Sequence, residues 1–169
     1  VHGDIRLSNL LLMSDGLVKV GDSHVSRALS DPKHPLSILS NQPHEVQVAV
    51  KRQQKEREKM SKQVALATDP YEQDIGSSIP VTTSGDIFML GLAIYKLVAK
   101  VDAMTSSDIV NKKSPDLSVI MHLFAGGELL AHLLSCMLSH EPSKRPTIDQ
   151  VLSHPFFKSW GENEVYLHT

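Results

Sequence analysis

At 169 residues the chain has a one-domain length, and 41% apolar residues suffice for a core and exclude broad disorder. A formal net charge of −2 excludes a global attraction to nucleic acid or anionic membrane, and no nucleic-acid partner is expected. A single cysteine, Cys136 in the apolar run L-L-S-C-M-L, excludes an internal disulfide and a cysteine-based zinc site.

Asp4 and Asn9 stand five residues apart at the start of the chain, in V-H-G-D-I-R-L-S-N. The apolar runs 10–13 and 17–20 flank Ser14-Asp15-Gly16, and an Asp-Gly turn between such runs predicts a β-hairpin. Asp22 follows, thirteen residues after Asn9. Residues 25–80 lack strong periodicity and are punctuated by Pro32, Pro35 and Pro43, so most of the stretch reads as a loop insertion, with an exposed helix over 45–66. Its segment 51–62 carries six basic and two acidic residues but no aromatics to stack on bases, and reads as a solvated helix face.

Residues 84–99, S-G-D-I-F-M-L-G-L-A-I-Y-K-L-V-A, are apolar almost all round from Ile87 on, which predicts a buried central helix capped by Ser84 or Asp86. No apolar run reaches eighteen residues, so no membrane segment is expected in this chain, and the expected compartment is cytoplasm or nucleus. A short amphipathic helix is predicted over 116–124, and a second over 128–138 with Leu129, Leu130, Leu133, Leu134, Met137 and Leu138 on one face. Pro142 and Pro146 bracket a turn, Thr147 caps a last helix to about Leu152, and His154-Pro155 ends it. The tail 158–169 follows. The nine histidines show no zinc-ligand spacing.

Two carboxylates and a carboxamide delivered by one hairpin suit Mg²⁺, a hard cation that prefers oxygen donors. The protein kinase pattern H-R-D-x-x-x-x-N followed by D-F-G has this layout. Here it reads H-G-D-I-R-L-S-N and D-S-H. Further blocks follow in order: S-G-D-I-F-M-L-G-L-A-I-Y-K-L-V, then M-L-S-H-E-P-S-K-R-P-T-I-D-Q-V-L-S-H-P-F-F. Over nearly its whole length the chain resembles the C-terminal lobe of a protein kinase, of Ser/Thr type from S-K-R-P-T and H-P-F-F. It is also similar to the kinase half of the stress-sensing kinase–endoribonucleases, through D-I-F-x-x-G, the long preceding loop and K-R-P…H-P-F-F.

The resemblance implies a mainly α fold over 1–157: a helical bundle around a buried central helix, with a small β-hairpin carrying the catalytic loop and 25–80 as an activation-segment-like insertion. It implies ATP and Mg²⁺ as cofactors and a protein substrate as partner. Asp4 falls on the catalytic Asp that accepts or orients the substrate hydroxyl proton. Arg6 falls on the usual Lys beside the transferred phosphate, and Asn9 and Asp22 on the Mg²⁺ ligands. Leu11 falls in the strand that packs under adenine. Asp86 falls on the Asp that accepts backbone hydrogen bonds from the catalytic loop near His2 and Gly3. Arg145 falls on the Arg that pairs with the Glu of the family's A-P-E.

The pattern also breaks. Gly3 stands where the family has the Arg that commonly grips an activation-loop phosphate. Ser23 and His24 replace the Phe and Gly of D-F-G, and burying such a Phe is worth roughly 1.5–3 kcal/mol. A-P-E is not recognisable, and Glu72, Asp74 or water is expected to satisfy Arg145. No Gly-rich loop, strand Lys or helix Glu of an N-terminal lobe occurs in the sequence, so that lobe is an expected missing partner. These 169 residues alone are expected to be inactive, marginally stable and sticky. The expected function is ATP- and Mg²⁺-dependent phosphoryl transfer to protein hydroxyls by a full-length parent. The alternative is a pseudokinase scaffold without catalysis.

Overall fold

The computed structural model describes residues 1–21, 41–64, 81–100, 108–109 and 111–161. The predicted hairpin is present. Strands β1 (Leu10–Leu12) and β2 (Val18–Val20) pair antiparallel, with Leu10 opposite Val20, Leu11 opposite Lys19 and Leu12 opposite Val18. At the turn Gly16 takes φ +82, a left-handed conformation that suits glycine. The Asp15 carboxylate accepts the Leu17 N–H at 3.0 Å, which closes the loop.

Helix α1 (His44–Val64) runs through the segment expected to hold an exposed helix. Among its described side chains, those at its beginning are the ones built into the protein. Val46, Gln47 and Val50 are buried, whereas Lys51, Arg52, Gln54 and Lys55 face solvent. Residues 42–50 therefore belong to the packed body and not to a loop.

Helix α2 (Thr83–Ala99) is the centre of the core, as its all-round apolar sequence requires. Its cap is Thr82, whose hydroxyl accepts the Gly85 N–H at 3.1 Å, rather than Ser84 or Asp86. Asp86 is thereby left with both carboxylate oxygens for the loop that precedes the hairpin. The short helix α3 (Ser118–Met121) covers part of the predicted 116–124, because Asp116 accepts the Ser118 N–H at 3.0 Å and sets a turn first. Helix α4 (Gly127–Met137) lays Leu130, Leu133, Leu134 and Met137 against Phe88, Leu92 and Tyr95 of α2, with Ile109, Ile120 and Val151 completing the cluster.

Helix α5 (Ile148–Leu152) starts at the predicted cap. The Thr147 hydroxyl accepts the Gln150 N–H at 3.3 Å, and the Gln150 side chain accepts the Thr147 N–H at 2.8 Å. His154-Pro155 does end α5, but it also begins a further helix, α6 (Pro155–Gly161). Proline at the first helical position needs no N–H partner, and the His154 ring accepts the Phe156 N–H at 3.2 Å in the manner of a cap. Phe156 packs on the core, while residues 162–169 lie outside the described residues. The result is a mainly helical body around one buried helix with a two-stranded sheet, the architecture of a kinase C-terminal lobe. Among the described residues no helix is long and apolar enough to cross a membrane.

Candidate active site

The loop of residues 2–9 hangs from the start of α2. The Asp86 carboxylate accepts the His2 N–H at 2.7 Å on one oxygen and the Gly3 N–H at 2.8 Å on the other. A charged acceptor for two backbone donors makes these strong hydrogen bonds. The His2 ring adds a second hold. Its Nδ1 accepts the Asp4 N–H at 3.2 Å, so the ring proton sits on Nε2 and is donated to the Gly21 carbonyl at 3.2 Å. The loop and the end of the hairpin are thus tied through one imidazole.

Asp4, 1% exposed, and Asn9, 7% exposed, come together inside this loop. The Asn9 side-chain nitrogen donates to the Asp4 carbonyl at 3.0 Å and to its Oδ2 at 2.8 Å. Both amide protons are committed, and among the described residues no hydrogen bond engages the Asn9 side-chain carbonyl oxygen, a hard donor. Among the described residues, the Asp4 Oδ1 is buried with no hydrogen-bond partner. Such a carboxylate oxygen is costly unless a ligand or proton donor uses it. Arg6 stands beside the pair, its Nε 3.1 Å from Asp4 Oδ2. The contact is ionic rather than directional, since that Nε makes no well-aligned hydrogen bond.

Leu11 lies on the exposed side of the hairpin at 53% exposure, and its side chain reaches over Gly21. Leu12, Leu17 and Val18 are likewise exposed. Asp22, Ser23 and His24 lie outside the described residues. The structure therefore brings together Asp4, Arg6 and Asn9, sets Leu11 on the adjoining strand, and leaves Asp22 undescribed. Asparagine oxygen, carboxylate and guanidinium on one loop fit a Mg²⁺-bound phosphate group: hard oxygen for the metal, positive charge for the phosphate.

Two residues that sequence reasoning did not single out complete the frame. Arg145 is paired by Glu45, at 2.6 Å and 2.9 Å through both guanidinium ends, while Glu72 and Asp74, the acids expected for this role, lie outside the described residues. Glu45 thus holds the partner position expected of the Glu in A-P-E, two residues after Pro43 and forty-one before Asp86. The signal was Pro-x-Glu at a helix start. The family's usual spacing, about a dozen residues, pointed elsewhere. Gln42, 1% exposed, donates its side-chain N–H to the Gly3 carbonyl at 2.6 Å, and its own carbonyl accepts from the Gln47 side chain at 2.8 Å.

The chain is similar to Ser/Thr protein kinases. It is 22% identical to the mouse serine/threonine-protein kinase Nek4, over 94% of this chain and 17% of that protein. It is 24% identical to the rat serine/threonine-protein kinase PAK 5, over 95% of this chain and 20% of that protein. It is 29% identical to the membrane-associated tyrosine- and threonine-specific cdc2-inhibitory kinase wee-1.3 of Caenorhabditis elegans, over 94% of this chain and 20% of that protein. These likenesses support a place in the protein kinase family, as a Ser/Thr kinase-related domain. No family model matches the chain. The chain spans about a fifth of the length of these relatives.

Proposed function

We propose that this chain is the catalytic-loop half of a Ser/Thr protein kinase, whose full-length parent transfers phosphate from ATP to protein hydroxyls. The observation that carries the reading is the buried Asp4–Asn9 pair beside Arg6, with one Asp4 oxygen left unpartnered among the described residues. The Asp4 carboxylate accepts or orients the proton of the substrate hydroxyl. Asn9, fixed by its two bonds to Asp4, presents its carbonyl oxygen to Mg²⁺, and Asp22 is the second proposed ligand. Mg²⁺, when bound with ATP, supplies neutralisation of the phosphate charge. Arg6 carries positive charge beside the transferred group, and Leu11 offers its exposed face to the adenine ring. The relation to the kinase half of the stress-sensing kinase–endoribonucleases rests on D-I-F-x-x-G and K-R-P…H-P-F-F.

The sequence contains no G-x-G-x-x-G run, so the groups that cover the phosphates are supplied by an N-terminal lobe outside these residues. The test is Mg²⁺-dependent ATP binding and phosphoryl transfer by the full-length parent, its Asp4→Asn variant and residues 1–169 alone. The parent transfers phosphate. Asp4→Asn lowers the rate about 10²–10⁴-fold, the usual worth of a positioned general base. The fragment does not transfer. Nucleotide binding without transfer by the parent would replace this reading with the pseudokinase scaffold, which the Gly3, Ser23 and His24 departures favour.

A further inference from the structure

Gly3 is gripped from both sides. Its N–H is held by Asp86, on the core helix α2, and its carbonyl by Gln42, at the entry to α1. The carbonyl can only accept, so the amide nitrogen of Gln42 must face it. The Gly3 backbone has φ +85, a conformation that glycine takes without the cost a β-carbon would add. A β-carbon here would also lie 3.0 Å from Val81 Cγ1. That conformation turns the Gly3 carbonyl toward Gln42 and hands the chain on to Asp4.

Gln42 is itself anchored three ways. Its carbonyl accepts from Gln47, on the first turns of α1. It is followed by Pro43, whose carbonyl accepts the Val46 and Gln47 N–H groups at 3.1 Å each. Three residues on, Glu45 is locked to Arg145. The segment 42–45 is therefore a rigid strut between the core and the loop that carries Asp4. In the resemblance noted above, position 3 is the Arg that commonly grips an activation-loop phosphate. Here position 3 has no side chain, and the link runs through an amide.

We propose that Gln42 is a positioning residue for Asp4: it couples the segment 42–45 to the catalytic loop directly through the Gly3 carbonyl, so that the coupling is built in and needs no phosphorylation. This rests on the kinase reading for its functional meaning, but the coupling can be measured without it. The variant Gln42→Met keeps length and apolar bulk and removes the donor. The control Gln47→Leu cuts the next bond in the same chain without touching Gly3.

Amide hydrogen exchange on the full 169-residue chain reads the result. The probes are the N–H groups of Gly3, Asp4 and Asn9, bonded to Asp86, His2 and the Arg6 carbonyl respectively. In Gln42→Met their protection falls about tenfold relative to the core amides of α2 and α4, the scale of one lost hydrogen bond. In Gln47→Leu the three probes and the core amides shift together. If Gln42→Met does not fold, Gln42→Asn, with the amide kept but one methylene shorter, reads the same selective loss. An equal loss at every amide, or unchanged protection at the three probes, overturns the proposal. In the full-length parent Gln42→Met lowers kcat and leaves the KM for ATP unchanged, and a change confined to KM also overturns it. Absence of transfer in the wild-type parent, with the selective exchange effect retained, removes the kinase reading and leaves the coupling supported.

Discussion

The Arg145 guanidinium and the Glu45 carboxylate meet across one hundred residues of chain, with both oxygens of the acid engaged. The Arg145 side chain is fully buried and Glu45 is one-quarter exposed. The remaining donors of Arg145 reach the carbonyls of Ser139 at 2.8 Å and Ser84 at 3.2 Å, and the guanidinium carbon lies 4.9 Å from the centre of the Phe88 ring. One residue thus ties α1, α2 and the turn after α4 to a common point.

Removing Glu45 leaves a buried cation with half its fork unpaired. Glu45→Ala is expected to destabilise the fold by about 3 kcal/mol, the low end for breaking a buried pair, because Glu45 keeps some access to water. Arg145→Met should cost less, since the carboxylate it leaves unpaired, Glu45, is one-quarter exposed and can reach water, whereas the guanidinium stranded by Glu45→Ala is fully buried. Denaturant unfolding of both single variants and the double variant measures this. A double variant no more stable than Glu45→Ala would show that the stranded charge is not the cause.

Helix α2 packs closely against Met137 of α4 at Gly91. A β-carbon there would sit 2.9 Å from Met137 Cβ and 3.4 Å from the Leu138 side chain. Gly91→Ala is expected to destabilise by about 1–3 kcal/mol through overpacking, despite the better helix propensity of alanine. Met137→Ala does not relieve it, because the clashing atom is the β-carbon that alanine retains. Thermal unfolding of Gly91→Ala with and without Met137→Ala checks both statements.

These examples show what was legible in the sequence. Periodicity and capping chemistry are local, so the hairpin, the all-apolar α2, the leucine face of α4 and the Thr147 cap could all be read directly. The Asp4–Asn9 pair could be read because five residues of loop set its spacing, and Asp86 because its two acceptor bonds go to a motif already recognised. Glu45 and Gln42 could not. Their partners, Arg145 and Gly3, are distant in sequence, and the long stretch between Glu45 and Asp86 moved the acid away from the spacing that would have marked it. Thr82 was missed as the α2 cap because Ser84 and Asp86 are equally good cap types. Only the tertiary use of Asp86 by His2 and Gly3 decides among them.

Lys100 ends α2 in the left-handed region, at φ 52 and ψ 34. A residue with a β-carbon pays about 1 kcal/mol or more there, which glycine does not. Lys100→Gly is expected to stabilise the protein by about 1 kcal/mol, partly offset by the greater freedom of glycine in the unfolded chain. The reading is a raised unfolding midpoint with an unchanged denaturant slope.

Two histidines make stability depend on pH in one direction. His154 titrates below the usual imidazole value, through burial first and the nearby His132 ring second. Geometry gives the same sign. His154 Nδ1 accepts the Phe156 N–H at 3.2 Å, so its proton sits on Nε2, which donates to His132 Nδ1 at 2.9 Å. A second proton on His154 would break the cap of α6 and face the positive end of that helix. His140 is also lowered, by burial first, then by His44, Lys112 and Arg145, against a smaller raising contribution from the Lys113 backbone. For both groups the folded state binds protons less readily than the unfolded chain. Their stabilising contribution is complete above the unfolded value of about 6.5, and is lost as pH falls below it toward the depressed folded values. Stability should therefore rise with pH through this window and level off above it. His154→Asn keeps a side-chain acceptor for the α6 cap without a titrating ring, and should flatten part of the slope. Unfolding free energies between about pH 5 and 8, the range of histidine titration, measure it. A slope unchanged by His154→Asn, or stability that rises on acidification, would refute the assignment.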